Sequence, residues 1–168
     1  MKPLVSIIMG STSDWPVMKK AAMFFEEMEI PFEVNALSAH RTPEEVEQFA
    51  KNASTNGIKI VIAGAGMAAH LPGVIAAMTP IPVIGVPIKA SLDGLDSLLA
   101  IVQMPPGIPV ATVAINGALN AGILAAQMLS TNDTSMFSKT VEYKEKLKGK
   151  IVKANQELQK EKFKFRTN

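Results

Sequence analysis

The sequence predicts an α/β protein in which helices cover both faces of a doubly wound parallel sheet of about five strands. Short apolar runs bounded by turn residues alternate along the chain with segments whose apolar residues recur at helical spacing. Most of these runs are apolar throughout, which is typical of strands buried on both faces of a sheet. The 168 residues are 48% hydrophobic but only 5% aromatic, so the core that they can form is aliphatic.

The first strand is predicted at residues 4–9, and a polar loop separates it from the first helix. Ser13 or Asp14 can cap that helix, and Pro16 is tolerated in its first turn. Pro31 is predicted to end the helix. Its apolar residues at helical spacing, which are predicted to face the core, are Val17, Ala21, Phe24, Phe25 and Met28.

The second strand is predicted at residues 32–37. Thr42 is predicted to cap the next helix, with Pro43 at its first position and Glu45 closing a capping box. Gly57 is predicted to end this helix in a left-handed conformation. The residues of this helix predicted to face inward are Val46, Phe49 and Ala50.

The same alternation of apolar runs and helical spacing continues to about residue 130. In chain order it predicts a third strand at 58–63, a loop at 64–73 leading into a helix through Met78, a fourth strand at 82–86, a helix at 95–103, a fifth strand at 110–115 and a helix at 118–129. Five strands separated by helices indicate a three-layer fold of the flavodoxin type.

The C-terminal part of the chain has a different composition. Residues 131–135 are polar, and residues 139–163 predict a charged helix with a sparse apolar stripe. A helix of this kind buries little surface by itself, so we expect it to lie against the domain or against a neighbouring subunit. The predicted organisation is an α/β catalytic domain at residues 1–130 and a helical extension at 131–168.

Composition and charge exclude several classes of function. The net charge is only +2, and the basic residues of the tail alternate with acidic ones, so we expect no nucleic-acid partner. The absence of cysteine excludes disulfides and thiolate catalysis, and two histidines thirty positions apart predict no metal site. No apolar run reaches membrane-spanning length, so we expect a cytoplasmic protein without a membrane partner.

The six residues Ser-Ala-His-Arg-Thr-Pro at 38–43 combine the strongest chemical features of the sequence. They follow the second predicted strand and open a helix, which places them at the sheet edge where α/β proteins bind ligands. The imidazole of His40 can exchange a proton near physiological pH. The guanidinium of Arg41 offers a fork of donors that suits phosphate or carboxylate.

Two further loops are predicted to open at the same edge of the sheet. The loop after the first strand offers the hydroxyls of Ser11 and Ser13 at a helix N-terminus, where an anion can bind, and Asp14 can accept hydrogen bonds from ribose hydroxyls. The loop after the third strand offers backbone donors without bulky side chains, together with His70. The three loops predict a pocket for a small phosphorylated sugar or nucleotide.

Each of these residues also has a purely structural interpretation, which the sequence leaves open. The hydroxyls and carboxylate of the first loop can be helix caps, and Arg41 can pair with a carboxylate of the helix that follows it. His40 can be a buried histidine with satisfied hydrogen bonds, and His70 can bond only to backbone.

The segment 64–69 also matches the G-x-G-x-x-A pattern of dinucleotide-binding proteins. It follows the third strand instead of the first, and Pro72 interrupts the helix that the pattern requires. No acidic residue lies about twenty positions further on, where a ribose ligand is expected; the next one is Asp93. We therefore exclude NAD as a cofactor.

Four segments together resemble the class I N5-carboxyaminoimidazole ribonucleotide mutase family of bacterial purine synthesis. They are residues 9–15, 38–43, 63–73 and 103–109, and the resemblance extends over residues 4–130 in unbroken order. It implies a homo-octamer that converts a phosphorylated ribonucleotide without metal or organic cofactor. It implies His40 as the general acid and base, Arg41 as the phosphate ligand and Asp14 as the ribose ligand. The other implied substrate-binding residues are Ser11, Ser38, Gly66, His70 and Leu71.

Three functions remain to be separated. The first is the mutase, which the arginine at position 41 resembles, because the branch that carboxylates aminoimidazole ribonucleotide directly tends to have lysine at that position. The second interpretation is that direct carboxylase, and the third is a nucleotide-binding module without catalysis. The chain departs from the family pattern at residues 116–119, where it is shorter, and in its long charged tail.

Overall fold

Five parallel strands form the sheet of the computed structural model, which describes residues 2–168. In chain order the strands are β1 (Val5–Met9), β2 (Phe32–Ala36), β3 (Ile60–Gly66), β4 (Val83–Ile88) and β5 (Ala111–Thr112). Their spatial order is β2-β1-β3-β4-β5, the order of flavodoxin-like folds, so the predicted fold class is confirmed. In this order the chain changes direction between β1 and β3, which creates a crevice at their carboxyl ends.

Each helix lies in a segment that the periodicity predicts, although some of the bounds differ. They are α1 (Trp15–Met28), α2 (Pro43–Asn52), α3 (Leu71–Met78), α4 (Leu95–Val102), α5 (Ala118–Ser130) and α6 (Thr134–Leu158). Short 3-10 turns at Thr12–Asp14 and Leu92–Gly94 precede α1 and α4. No helix in residues 2–168 is long and apolar enough to cross a membrane.

The register of the sheet brings three loops to the same level. Met9, the last residue of β1, pairs with Ala36 at the end of β2 and with Gly64 near the end of β3. The side chains of β1 are fully buried, with helices against them, so this edge rests on a rigid core. The loops after β1, β2 and β3 therefore begin side by side.

The predicted capping box at Thr42 is wrong. Thr42 is the N-cap residue of α2, but its side chain makes no hydrogen bond to the helix. Its hydroxyl instead accepts from the backbone N–H of Ser38 at 2.9 Å and donates to the Ser38 carbonyl at 3.2 Å. A local turn with Ser38 takes this hydroxyl, although a side-chain cap contributes about 1 kcal/mol to a helix.

Two other local predictions also differ from the structure. Met18, not Val17, is the fully buried residue near the start of α1, because the helix begins with Trp15 after a separate 3-10 turn. Gly57 is left-handed, with φ of +96°, but α2 has already ended at Asn52. The glycine belongs to the turn that enters β3.

The glycine and alanine residues at 64–66 belong to β3 and not to the predicted loop. A Cβ on Gly64 would lie 2.5 Å from the sulfur of Met18, so this glycine allows α1 to pack closely on the strand. The small residues here serve the packing of a helix on the sheet. At the other edge, β5 is limited to Ala111–Thr112 of the predicted 110–115.

Gly85 in β4 gives the clearest stability prediction. A Cβ on Gly85 would lie 2.4 Å from Cγ2 of Ile101 and 2.9 Å from Cγ1 of Val110, both on stiff β-branched side chains. Gly85→Ala is therefore expected to lower the free energy of unfolding by about 1–3 kcal/mol in urea denaturation. Gly149→Ala is the control, because a Cβ there meets nothing within 4 Å. Equal stability of Gly85→Ala and wild type would contradict this close packing.

The contacts of the chain define two compact units. The first ends at Met128 and the second begins at Leu129. The second unit contains α6, which starts at Thr134 and not at the predicted residue 139. Asp133 explains the earlier start, because its carboxylate accepts from the backbone N–H of Met136 and caps the helix. The helix surface carries exposed ion pairs between residues three or four positions apart, such as Lys146 with Glu142.

Candidate active site

Direct hydrogen bonds join the three loops at the carboxyl edge of the sheet. Nη2 of Arg41 in the second loop donates to the carbonyl of Gly10 in the first loop at 2.6 Å. Nε2 of His40 in the second loop lies 2.8 Å from Nδ1 of His70 in the third loop. The residues that the sequence places on three separate loops are therefore brought together around the loop after β2.

The two histidines form an imidazole pair. Their rings are nearly perpendicular, with an interplanar angle of 83° and centroids 4.9 Å apart. Both residues are exposed, so the alternative of His40 as a buried histidine is wrong. His70 is the N-cap residue of α3 and makes no side-chain bond to it, so the alternative in which His70 bonds only to backbone is also wrong. One nitrogen of the contact donates and the other accepts, according to the tautomers.

The side chain of Arg41 is held on one side and open on the other. Its Nε donates to the hydroxyl of Ser38 at 3.3 Å, and its Nη2 donates to the Gly10 carbonyl. Among the described residues, Nη1 has no hydrogen-bond partner. The guanidinium makes these bonds instead of pairing with a carboxylate of α2, and it keeps donors for an anion.

The first loop is a small network of side chains. Ser11 caps the 3-10 turn, and its hydroxyl lies 3.3 Å from the backbone nitrogen of Ser13 and 2.9 Å from the Ser13 hydroxyl. Capping is thus one confirmed role of Ser11. Asp14 occupies the N-cap position of α1 but makes no side-chain bond to the helix. Its carboxylate lies 3.4 Å from the Ser13 hydroxyl and keeps acceptor capacity for a ligand.

Replacing Asp14 with asparagine is expected to leave stability at neutral pH no lower than in the wild type. Burial, the largest cause, raises the pKa of the Asp14 carboxyl above 3.8, while the Ser13 bond and the Arg41 charge oppose the rise. The folded state thus favours the protonated acid. Its contribution to stability is present below pH 3.8 and is lost as the pH rises through the raised pKa.

Urea denaturation of wild type and Asp14→Asn at several pH values between about 3 and 7 measures this difference. The wild type is expected to lose stability relative to the variant as the pH rises. A wild type that instead gains stability relative to Asp14→Asn over that range would mean that the ionised carboxylate is favoured in the folded state.

The third loop has an unusual backbone. Met67 and Ala69 adopt left-handed φ values of +56° and +47°, although neither is glycine. Such conformations are sparsely populated and cluster at functional sites. A Cβ on Gly66 would lie 3.2 Å from both the Cβ of Ala90 and the carbonyl of Ile88, so this glycine allows the loop after β4 to approach closely.

Leu71 differs from the other predicted site residues. Its side chain is 3% exposed and packs in the core cluster with Ile75 and Val46. Only its backbone, in the first turn of α3, can face the crevice. In residues 2–168, no group of three or more histidine, cysteine, aspartate or glutamate side chains is placed to hold a metal ion.

Two features of the site were missed in the sequence. The Gly10 carbonyl accepts a hydrogen bond from Arg41, and because it is a backbone group no pattern of side chains in the sequence indicates it. The sequence around Thr42 does match a pattern, that of a capping box, but its hydroxyl bonds to the backbone of Ser38 in the loop and not to the helix.

The chain is similar to proteins of one family over most of its length. The family model described as AIR carboxylase matches residues 4–150. The N5-carboxyaminoimidazole ribonucleotide mutase of Thermotoga maritima is 56% identical, over 94% of this chain and 92% of that protein. The crystal structure of Treponema denticola PurE is 30% identical with a TM-score of 0.85, covering 93% of this chain and 98% of that one.

One relative with a different name is almost as similar. The phosphoribosylaminoimidazole carboxylase of Candida glabrata is 55% identical over 94% of this chain. This chain spans only 28% of the length of that protein.

Proposed function

The chain belongs to the AIR carboxylase family, and from this premise we propose that it is an N5-carboxyaminoimidazole ribonucleotide mutase of de novo purine biosynthesis. The enzyme converts N5-carboxyaminoimidazole ribonucleotide into 4-carboxy-5-aminoimidazole ribonucleotide. The observation that carries the proposal is the contact of His40 with His70, beside the open guanidinium of Arg41. A group that can exchange a proton thus lies next to a group that can hold a phosphate.

In the proposed reaction His40 acts twice. As an imidazolium it donates a proton to the carbamate nitrogen of the substrate, and carbon dioxide leaves that nitrogen. C4 of the aminoimidazole then attacks the carbon dioxide, and His40 removes the C4 proton, which restores the aromatic ring. The proton that His40 gives is regained, so the cycle needs no external acid or base. Retention of carbon dioxide beside C4 supplies an effective concentration that bulk solution lacks.

The contact with His70 has a consequence for this chemistry. While Nε2 of His40 is paired with His70, the ring nitrogen of His40 that remains for a substrate is Nδ1. His70 then orients the acid-base group, as a second group commonly orients a catalytic imidazole. A substrate that binds Nε2 must first replace His70 there.

The remaining predicted residues are proposed to bind the substrate. Arg41 binds the phosphate through its free donors, and Asp14 accepts hydrogen bonds from the ribose hydroxyls. The residues proposed to complete the pocket are Ser11, Ser13, Ser38, Gly66, His70 and Leu71, the last through its backbone. The positive charge of Arg41 acts to lower the pKa of Asp14, although burial raises that pKa overall. The two side chains are therefore near enough to interact, which supports a site in which they bind neighbouring parts of one ligand.

Direct carboxylation of aminoimidazole ribonucleotide is the second candidate function. The name of the Candida glabrata relative favours it, because that protein is almost as similar as the mutases. The presence of Arg41 favours the mutase. Both reactions form the same product and use the same histidine, so they differ only in the source of the carboxylate.

Two assays test the proposed function. The purified protein is given either N5-carboxyaminoimidazole ribonucleotide without added bicarbonate, or aminoimidazole ribonucleotide with bicarbonate, and the C4-carboxylated product is measured. Rapid product formation from the first substrate alone is the expected result. Rapid formation from the second alone would indicate the direct carboxylase. No product from either would leave a nucleotide-binding module without catalysis.

The catalytic domain is proposed to comprise residues 1–130, with 131–168 as an extension, in a cytoplasmic homo-octamer. Exposed apolar side chains on α4 support self-association. Leu95, Leu99 and Val102 recur at helical spacing and are 53%, 51% and 49% exposed. Light scattering on a sizing column measures the assembly, and a monomer would contradict it.

A further inference from the structure

We propose that Thr42 is a positioning residue that holds His40 in place for proton transfer. The proposal rests on the function proposed above and assigns Thr42 no contact with a substrate. Three hydrogen bonds join Thr42 to Ser38 across the loop. The Thr42 hydroxyl accepts from the Ser38 N–H at 2.9 Å and donates to the Ser38 carbonyl at 3.2 Å, and the Thr42 N–H donates to the same carbonyl at 2.9 Å.

These bonds enclose a turn of three residues with His40 at its centre. The entry to the loop is fixed independently, because the Leu37 N–H donates to the Met9 carbonyl at 2.9 Å. Ala39 is also anchored, since it packs against the core cluster. His40 itself is exposed, and its side chain bonds only to His70 among the described residues. The exit of the loop thus depends on Thr42.

Removal of the hydroxyl would leave two groups of Ser38 altered. Its N–H would lose its acceptor, and its carbonyl would keep one of two donors. The Ser38 hydroxyl accepts from both the backbone N–H and the Nε of Arg41, at 3.3 Å each. Ala39 is anchored against the core cluster, and the Arg41 side chain is held by the Gly10 carbonyl. A shift of Ser38 would therefore fall mainly on His40 between them. Displacements of about 1 Å in a positioned catalytic group can lower rates about a hundredfold.

The missing helix cap makes this role separable from a structural one. A threonine at an N-cap usually accepts from the backbone of its own helix, so its loss destabilises the helix. Here the hydroxyl makes no such bond, and α2 has Pro43 at its first position and glutamates in its first turn. A change of Thr42 to valine is close in shape and leaves the bonds of α2 intact.

The test compares Thr42→Val, Thr42→Ser and Thr55→Val with the wild type in steady-state kinetics on N5-carboxyaminoimidazole ribonucleotide. Thr55 is the matched control, because its hydroxyl donates to the Asn52 carbonyl at 2.8 Å after the far end of α2. Thr42→Val is expected to lower kcat about tenfold to a hundredfold with KM changed less than about threefold. Thr42→Ser keeps the hydroxyl and is expected to restore most of kcat, and Thr55→Val is expected to match the wild type.

Three outcomes would overturn the proposal: a wild-type kcat in Thr42→Val, an equal loss in Thr42→Ser, or an effect confined to KM. If a thermal unfolding experiment shows that the valine variant does not fold, Thr42→Ala replaces it. The alanine variant removes the same hydroxyl without filling its space and allows the same comparison. Absence of turnover in the wild type would count against the proposed function instead, and is recognised before any variant is made.

Discussion

Replacement of His40 by asparagine is expected to lower turnover at least about a thousandfold, because positioned acid-base groups contribute about 10²–10⁴ to rates and His40 acts in both steps. An asparagine amide is similar in size and can still bond to His70, but it cannot exchange a proton. Ligand binding should therefore survive. Turnover is measured with N5-carboxyaminoimidazole ribonucleotide, and affinity is measured by calorimetry with the same compound.

The control for this experiment is His70→Asn, the same change at the other histidine of the chain. It removes the partner of His40 but leaves the acid-base group, so a smaller loss is expected. A His40→Asn variant that keeps more than about a tenth of wild-type turnover would contradict the assignment of the acid-base role. Loss of affinity together with turnover would indicate that His40 binds the substrate and does not transfer its proton.

The second large effect is expected for Arg41→Lys. Lysine keeps the positive charge but loses the planar fork of donors, so the simultaneous bonds to Gly10, to Ser38 and to a phosphate are no longer possible. Loss of charged hydrogen bonds of this kind weakens binding by about 1.5–3 kcal/mol, which corresponds to KM increased about tenfold to a hundredfold. Because the phosphate is remote from the reacting atoms, kcat should change much less.

The matched control is Arg166→Lys, since Arg166 is the other of the two arginines in the chain. Arg166 lies in the second unit and bonds carbonyls at the end of α6, among them that of Leu158. Kinetics like those of the wild type are expected for this variant. An unchanged KM in Arg41→Lys would mean that Arg41 only ties the first two loops together and does not bind the phosphate.

Much of the fold could be predicted from the sequence because its signals are local. The apolar runs of β1, β3 and β4 are bounded by turn residues, and helical spacing fills the segments between them. Once the strands are parallel, their carboxyl ends share an edge, so the loops that carry Asp14, His40 and His70 are expected to meet. That expectation needs no knowledge of distances.

Most of the parts that could not be predicted depend on contacts between residues that are distant in the chain. The small residues at 64–66 resemble a flexible loop in sequence, but Gly64 pairs with both β1 and β4, and the sulfur of Met18 leaves no space for a side chain there. The hydroxyl of Thr42 can serve a helix or a loop equally well by its local sequence. The contact of His40 with His70 joins residues thirty positions apart, and no periodicity specifies which ring atoms meet.

The fate of the carboxylate tests the central claim most directly. N5-carboxyaminoimidazole ribonucleotide that carries isotope label in its carboxylate is converted in a single turnover, in buffer with unlabelled bicarbonate. The proposed mutase transfers carbon dioxide within a closed site, so the label is expected in the C4-carboxylate of the product. A product that carries only carbon from the buffer would contradict the mutase and identify a direct carboxylase.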